Sequence, residues 1–275
     1  MNTQVLPLLP SVAAGVQEFK RLQPLWYQNT VGWGVFFLLC LLLAAVDDRT
    51  LYGVSVWSKP AKFALSLVAY FGTLTWFARF LQPQTLNSLS GRALVWIPVV
   101  MAGFEMLYMT TMAAMAQPSH FNVSTPFHAL MYSLMGFGAV CMVLVLGWLA
   151  ALVARQNSLS NPLVLAAVLG LVLTLLLGGG FGGYLGGAGS HWVQAPATDA
   201  DGLALFNWSR AGGDLRVAHF FGMHAMQALP LFALLLPVRW PQHVKTALVI
   251  GFAAAYSAFS TVTFVQAVQG QPFLA

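Results

Sequence analysis

Long apolar segments separated by short polar stretches make up most of this chain of 275 residues. A helix that crosses a bilayer needs about 20 mostly apolar residues. The sequence therefore predicts a transmembrane helix in each of seven segments, at about 28–46, 60–81, 93–116, 125–153, 162–187, 215–237 and 243–267. We expect an all-α fold, a polytopic membrane bundle of seven transmembrane helices that forms a single domain over residues 1–275.

An amphipathic segment precedes the first span. Residues 11–22 place Val12, Val16 and Phe19 on one face of a helix. Helices of this kind lie in the plane of the membrane surface with the apolar face inward. We therefore predict an interfacial N-terminal helix.

The longest loop, residues 188–214, joins the fifth and sixth predicted spans. It mixes Gly, Pro and Asp with His191, Trp192, Phe206 and Trp208. Long loops in compact proteins are frequently lids or binding loops, and these side chains can anchor one. We predict an outer loop or lid that folds over the helix ends.

The composition supports a membrane protein and excludes other classes. Only 7% of residues are charged and 59% are hydrophobic, whereas about a quarter of the residues in a soluble domain are charged. The formal charge of +5 does not indicate nucleic-acid binding, because the basic residues are scattered over loops. Such residues set topology, with more Lys and Arg in cytoplasmic loops. A cytoplasmic N-terminus places seven basic residues inside and five outside, with the C-terminus outside: Lys20, Arg21, Arg79, Arg92, Arg155, Arg239 and Lys245 lie inside.

The sixth predicted span is the richest in polar side chains. Arg216 and His219 share one face of it, while His224 points away from His219 and Gln227 lies between them. Polar groups inside a membrane segment are expensive, so they face the bundle interior and mark functional sites. The alternative is interhelical hydrogen bonding that only holds the bundle together.

Depth along the helices predicts two tiers of polar groups. His128 and His219 each lie about one turn into their spans, near the outer rim, and are the candidate metal ligands. Glu105 and His224 lie about 10 residues into theirs, near the midplane. With Gln227, these two are the candidate catalytic residues, and Glu105 could act as a metal ligand, proton carrier or general base. Its structural alternative is a protonated carboxyl group that is hydrogen-bonded to a neighbour.

Cationic and polar side chains gather at the same outer ends. Lys59, Lys62 and Arg216 could neutralise the propionates of a cofactor or a substrate anion, or they could only set topology and contact lipid headgroups. The stretch 119–128 adds His120 and Asn122. These five residues are the candidate cofactor-binding set, and the expected partners are the lipid bilayer and a small hydrophobic or anionic ligand.

The rim cations beside inward-facing imidazoles favour a membrane redox protein that holds haem or a transition metal ion. Two alternatives remain open: a transporter or channel for a small solute, proton or metal ion, and a metal-dependent membrane hydrolase. Hydrolases of the ceramidase and adiponectin-receptor type carry an H-x3-H pair on one helix face, whereas His219 and His224 are spaced H-x4-H. No family is therefore assigned from the sequence.

Overall fold

The computed structural model describes residues 12–275 and is mostly helical. Ser11 of the predicted N-terminal helix lies outside the described residues. The helices are α1 (Val12–Leu22), α2 (Pro24–Val46), α3 (Ser58–Phe77, extended by a 3-10 turn over Ala78–Phe80), α4 (Pro83–Asn87), α5 (Leu89–Ala114), α6 (Pro126–Gln156), α7 (Pro162–Leu173), α8 (Gly179–Gly187), α9 (Leu215–Met223), α10 (Ala225–Leu235) and α11 (Gln242–Val268). A π-helical segment, Thr174–Gly178, joins α7 to α8.

Two short antiparallel hairpins complete the described fold. Strand β1 (Thr50–Leu51) pairs with β2 (Val54–Ser55), and β3 (Trp192–Val193) pairs with β4 (Gly213–Asp214). The register places Thr50 opposite Ser55, and Trp192 opposite Asp214. The second pairing closes the base of the 188–214 loop.

Six helical spans in the described residues are long and apolar enough to cross a membrane, and α9 with α10 makes a seventh if this bent pair counts as one. The core between them is apolar and fully buried, with Phe71, Leu74 and Leu146 at 0% exposure. Large apolar side chains on the outer surface are exposed, such as Leu42, Leu107 and Val262. A bilayer would cover this apolar surface.

Local sequence explains where the helices begin. Proline stands in the first turn of α2, α6 and α7, where its missing N–H has no intrahelical partner to lose. A side chain caps each of these turns: Gln23, Thr125 and Asn161 accept hydrogen bonds from the first backbone N–H groups.

The two internal prolines behave differently. Pro98 lies within the continuous helix α5, where a proline cannot donate to the carbonyl four residues earlier. The neighbouring carbonyl of Val95 accepts from the indole Nε1 of Trp26, at 3.1 Å. Helices α9 and α10 meet at an angle of 51°, and this bend lies at His224 rather than next to Pro230. The bend follows from the packing of these helices against the π-helical segment, which is described below.

One end of the bundle carries three irregular loops, residues 47–57, 115–125 and 188–214, and is called the loop end here. Backbone contacts tie these loops together: Asp199 N donates to Tyr52 O at 2.8 Å, and Gly53 adopts a positive φ of 81° where Ala200 leaves no room for a side chain. The non-glycine residues with positive φ in the described chain all lie in these loops: Tyr52, Ala116, Phe121, Gln194, Leu205 and Asn207. Strained backbone of this kind clusters at functional sites.

Candidate functional site

A π-helical segment and a bent helix fit into each other at the centre of the bundle. Thr174 begins the π segment, and its Oγ1 accepts from Met226 N at 2.9 Å, just beyond the bend at His224. Gly178 and Gly222 pack so closely that a Cβ on Gly222 would lie 2.6 Å from Gly178 N. At the bend, the carbonyl oxygen of Phe221 accepts a hydrogen bond from the hydroxyl of Tyr256, at 2.7 Å. Such π segments are frequent at functional sites, and this one positions α9.

The imidazole of His219 is anchored by its backbone partner. Its Nδ1 lies 3.0 Å from the carbonyl oxygen of Gly178. Because a carbonyl only accepts, Nδ1 carries a proton, and in the neutral imidazole Nε2 then has the free lone pair. Nε2 makes no hydrogen bond to any described residue. Gly182 makes space for the ring, since a Cβ there would lie 2.7 Å from His219 Cε1.

The 115–125 loop folds back into the bundle and brings His120 to Glu105. The nearest atoms, His120 Nε2 and Glu105 Oε1, are 3.5 Å apart. Glu105 precedes the end of α5 at Ala114 by nine residues, or about 14 Å of helix, so His120 reaches deep into the bundle. Ser119 Oγ lies 3.1 Å from His120 Nδ1 and fixes the other side of the ring.

Asn122 shapes this loop instead of pointing at a ligand. It is 7% exposed, and its amide donates to Pro118 O while its Oδ1 accepts from the backbone and hydroxyl of Ser124. Its hydrogen bonds stay within the loop, so they hold His120 in its inward position.

Lys59 lies beside this pair. Burial lowers the pKa of His120, the positive charge of Lys59 lowers it further, and Glu105 raises it in part. His219 also acts on His120 electrostatically, in the same direction as Lys59. Lys59 Nζ lies 6.0 Å from the ring centroid of Phe63 and makes no hydrogen bond or ion pair within residues 12–275. We call Lys59, Glu105, His120 and His219 the polar cluster.

His128 and His219 occupy different helix interfaces. His128 Nδ1 lies 2.9 Å from the hydroxyl of Tyr108, between α6 and α5, whereas His219 faces the π segment. The described contacts therefore do not bring the two predicted metal ligands together. This difference from the predicted rim pair removes the main geometric support for a haem or metal ion that both would hold.

His224 takes part in a separate polar chain. Its Nδ1 lies 3.3 Å from Gln227 Oε1, and Gln227 Nε2 donates to Thr73 Oγ1 at 3.0 Å. The predicted midplane tier paired Glu105 with His224 or Gln227. Glu105 instead contacts His120, and the hydrogen-bonded chain that begins at His224 runs toward α3.

Two of the predicted rim cations hold the 188–214 loop. Lys62 Nζ donates to Asn207 Oδ1 at 2.6 Å and to Phe206 O at 2.9 Å. Arg216 Nη1 and Nη2 form a two-pronged contact with Asp199, at 3.0 and 2.8 Å, and Arg216 also donates to Asp214 and to Asn207 O. The two cations, Lys62 and Arg216, together balance the two carboxylates of Asp199 and Asp214, although only Arg216 forms ion pairs with them.

Asp214 is the buried centre of this loop anchor, with a side chain at 0% exposure. Burial opposes its ionisation, but the ion pair with Arg216 outweighs that effect and holds its pKa below the usual range. His191 Nδ1 lies 3.6 Å from Asp214 Oδ1, which is too long for a hydrogen bond. Burial lowers the pKa of His191, so this imidazole is neutral beside the carboxylate at neutral pH.

Aromatic side chains attach the loop to the helices. Trp208 is 6% exposed and stacks on Phe206 with ring centroids 4.4 Å apart, and both rings contact Phe220 on α9. Phe121 of the 115–125 loop packs near His191. The loop thus lies against the helix ends above the polar cluster.

Sequence reasoning missed several participants. Tyr108 lies three residues after Glu105, a spacing that puts both on one helix face, and this was the available signal for its contact with His128. Asp199 and Asn207 carry no local signal, because they reach Arg216 and Lys62 only through the folded loop.

No group of three or more His, Cys, Asp or Glu side chains suited to holding a metal ion occurs in the described part of the chain. No protein-family model, curated protein or solved structure matches this chain. The function must therefore be inferred from the site.

Proposed function

We propose that this chain is a multi-pass membrane protein with a small-ligand site at the loop end, where Glu105 and His120 exchange a proton with the bound ligand. The observation that carries the proposal is the 3.5 Å approach of His120 Nε2 to Glu105 Oε1. Both side chains are mostly shielded, with 20% and 13% of their side-chain surface exposed. A carboxyl and an imidazole at this distance in a partly dry site form an acid–base couple.

The chemistry of the cluster fits such a role. Glu105 accepts hydrogen bonds when ionised, neutral His120 can take up a proton, Lys59 only donates, and His219 Nε2 accepts. A ligand placed between them would meet a cation, a hydrogen-bond acceptor and a group that changes protonation. The strained residue Phe121 adjoins His120, and such strain is a feature of preorganised sites.

A catalytic or binding site that is reached from one side of the membrane is favoured over a channel. Below the cluster, the bundle centre is filled by Phe71, Leu74, Leu94, Leu146 and Leu171, each at 0% exposure. The polar chain through His224 and Gln227 ends at Thr73 and Ala69. Conduction needs a polar path across the membrane, and the described side chains form none beyond this depth.

The same proposal includes the membrane arrangement. We infer seven spans, with α9 and α10 together forming the sixth, and a cytoplasmic N-terminus from the seven-to-five excess of basic residues. The loop end then faces the outside. Helix α1 would lie in the membrane interface; it ends with Lys20 and Arg21, which suit a headgroup layer.

A double-mutant cycle tests the acid–base couple. Glu105→Gln, His120→Gln and the double variant are unfolded in mixed micelles, and the coupling energy is obtained from the three differences in unfolding free energy. We expect coupling of at least ~0.5 kcal/mol that grows as pH falls, because only protonated His120 pairs with the carboxylate. Additive effects at every pH would overturn the couple. The same cycle on Glu18 and His243 supplies a control pair with no described contact.

A haem- or metal-binding redox protein is the second candidate. It is favoured by His219, whose Nδ1 is fixed on Gly178 O while Nε2 stays open. A metal-ligating imidazole is typically fixed in this way through its other nitrogen. Absorbance spectra of the purified protein with and without added haem test this candidate. A Soret band lost in His219→Ala supports it, and an unchanged spectrum in that variant contradicts it.

A further inference from the structure

The charges around the polar cluster balance one another except at Lys59 and Glu105. The elements packed around it carry the following titratable and charged groups at or near the loop end: Lys59 and Lys62 of α3, Glu105 and Tyr108 of α5, His120 of its loop, His128 and Tyr132 of α6, His191, Asp199, Asp201, Arg210 and Asp214 of the 188–214 loop and β4, Arg216 and His219 of α9, and His224 at the bend after α9. Arg216 and Lys62 together balance Asp199 and Asp214: Arg216 is ion-paired with both carboxylates, and Lys62, which is hydrogen-bonded to Asn207, lies within their field.

That leaves one cation and one carboxylate facing the site. Lys59 and Glu105 contribute +1 and −1, and they do not form an ion pair. The imidazoles of His120 and His219 add no charge in their neutral forms, because burial disfavours a charged ring, and Lys59 further lowers the pKa of His120. The empty cluster is therefore neutral overall.

A bound monoanion would pair with Lys59 and leave the cluster with a net charge of −1. Uncompensated charge in a partly dry site is costly. One proton on His120, next to Glu105, restores neutrality. A dianion would need two protons, and the cluster has no second acceptor as well placed.

Resting on the proposed function, we infer that the ligand is a carboxylate monoanion that binds at Lys59 together with one proton taken up by the Glu105–His120 pair. The proton comes from solution, or equivalently the ligand arrives as the carboxylic acid and transfers its O–H proton to the Glu105–His120 pair. No other bond is made or broken. Lys59 donates to the carboxylate, which forms a charge-assisted hydrogen bond.

Calorimetry on the full chain in lipid nanodiscs tests the inference with acetate, octanoate and inorganic phosphate as probes. Titration in buffers of different ionisation enthalpy gives the number of protons taken up per ligand. We expect one proton per carboxylate, with affinity falling ~10-fold per pH unit above neutrality. Tighter binding of octanoate than acetate identifies access from the membrane; equal binding identifies access from water.

Three variants give the proposal its controls. Lys59→Met should weaken carboxylate binding at least ~10-fold, and Lys59→Arg should retain most of it because the charge remains. Glu105→Gln should still bind, but with no proton uptake and no pH dependence, because the empty cluster is then already cationic. Lys245→Met is the matched control, since this lysine bonds Val238 O at the other end of the bundle.

Each result decides the question. The inference is overturned if no carboxylate binds at 50 mM, a concentration taken as about the upper limit for a specific weak site. It is also overturned if the unmodified protein binds the carboxylate without taking up a proton, or if it prefers phosphate. Unchanged affinity in Lys59→Met would overturn it as well. If the Glu105–His120 cycle shows coupling in any of these cases, the acid–base couple stands and only the carboxylate assignment fails. If the cycle shows none, the proposed function fails as well.

Discussion

His219 Nδ1 lies 3.0 Å from the carbonyl oxygen of Gly178, so a distortion of one helix fixes the imidazole of another. The π segment that ends at Gly178 and the bend at His224 are complementary, joined by Thr174 and the Gly178–Gly222 contact. The position of His219 is therefore a property of two helices together, and it depends on the absence of side chains where they meet.

Adding one methyl group at Gly182 should disturb this arrangement. A Cβ would lie 2.7 Å from His219 Cε1, so we expect Gly182→Ala to lower the free energy of unfolding by ~1–3 kcal/mol, the usual cost of overpacking. Gly183→Ala is the control, because nothing lies within 4 Å of its Cβ, and it should be neutral or slightly stabilising. Denaturant titration in micelles measures both. Equal changes in the free energy of unfolding would show that Gly182 is not needed to make space for His219.

Replacing Arg216 should release the 188–214 loop. Arg216→Met leaves Asp199 and the buried Asp214 without their cation, and breaking such a buried pair costs ~3–5 kcal/mol at pH 7. The pKa of Asp214 is lowered in the folded protein, so its carboxylate stabilises the fold above the unfolded pKa, and this contribution is lost as pH falls. The deficit of the variant should therefore shrink on acidification below about pH 4.

Thermal unfolding of Arg216→Met across this pH range checks the sign. Arg210→Met is the control, because Arg210 is exposed and bonds only the backbone of Ala275. It should change stability by less than ~0.5 kcal/mol. A deficit in Arg216→Met that stays constant with pH would mean that the lost contacts are not electrostatic.

Protonation of His120 should destabilise the ligand-free protein. Its folded pKa is lowered by burial and by Lys59, so the unfolded chain binds the proton more tightly, and stability falls as pH drops below the unfolded value of about 6.5. His120→Asn should show a shallower decrease between pH 7.5 and 5.5. The melting midpoint measured at several pH values reports this slope, and a slope as steep as that of the unmodified protein would argue against a buried neutral imidazole.

The hydropathy pattern could predict the apolar helices, but it could not locate the site. The bend between α9 and α10 lies at His224, where Thr174 of another helix accepts a hydrogen bond from Met226 N, and the local sequence of α9 and α10 cannot indicate this contact. The depth of a residue in the membrane, when it is counted along a helix, cannot reveal a loop that turns inward. The contact between His120 and Glu105 was therefore beyond reach, because it depends on the Asn122 turn.

Membrane orientation is open to a simple check. The excess of basic residues in the loops opposite the loop end predicts a cytoplasmic N-terminus and an external C-terminus. A topology reporter fused after Ala275 should score as extracytoplasmic, and one fused in the 157–161 loop as cytoplasmic. The reverse pattern would place the loop end, with its polar cluster, in the cytoplasm.

The shared proton of Glu105 and His120 is the central claim, and nitrogen NMR of the histidine-labelled protein in nanodiscs tests it most directly. His120 is assigned by its loss in His120→Gln, and its titration is followed in the unmodified protein and in Glu105→Gln. Because Glu105 raises the pKa of His120, its removal should lower that pKa, whereas Glu18→Gln, at an exposed carboxylate, should leave it in place. An identical His120 titration in all three proteins would contradict the claim.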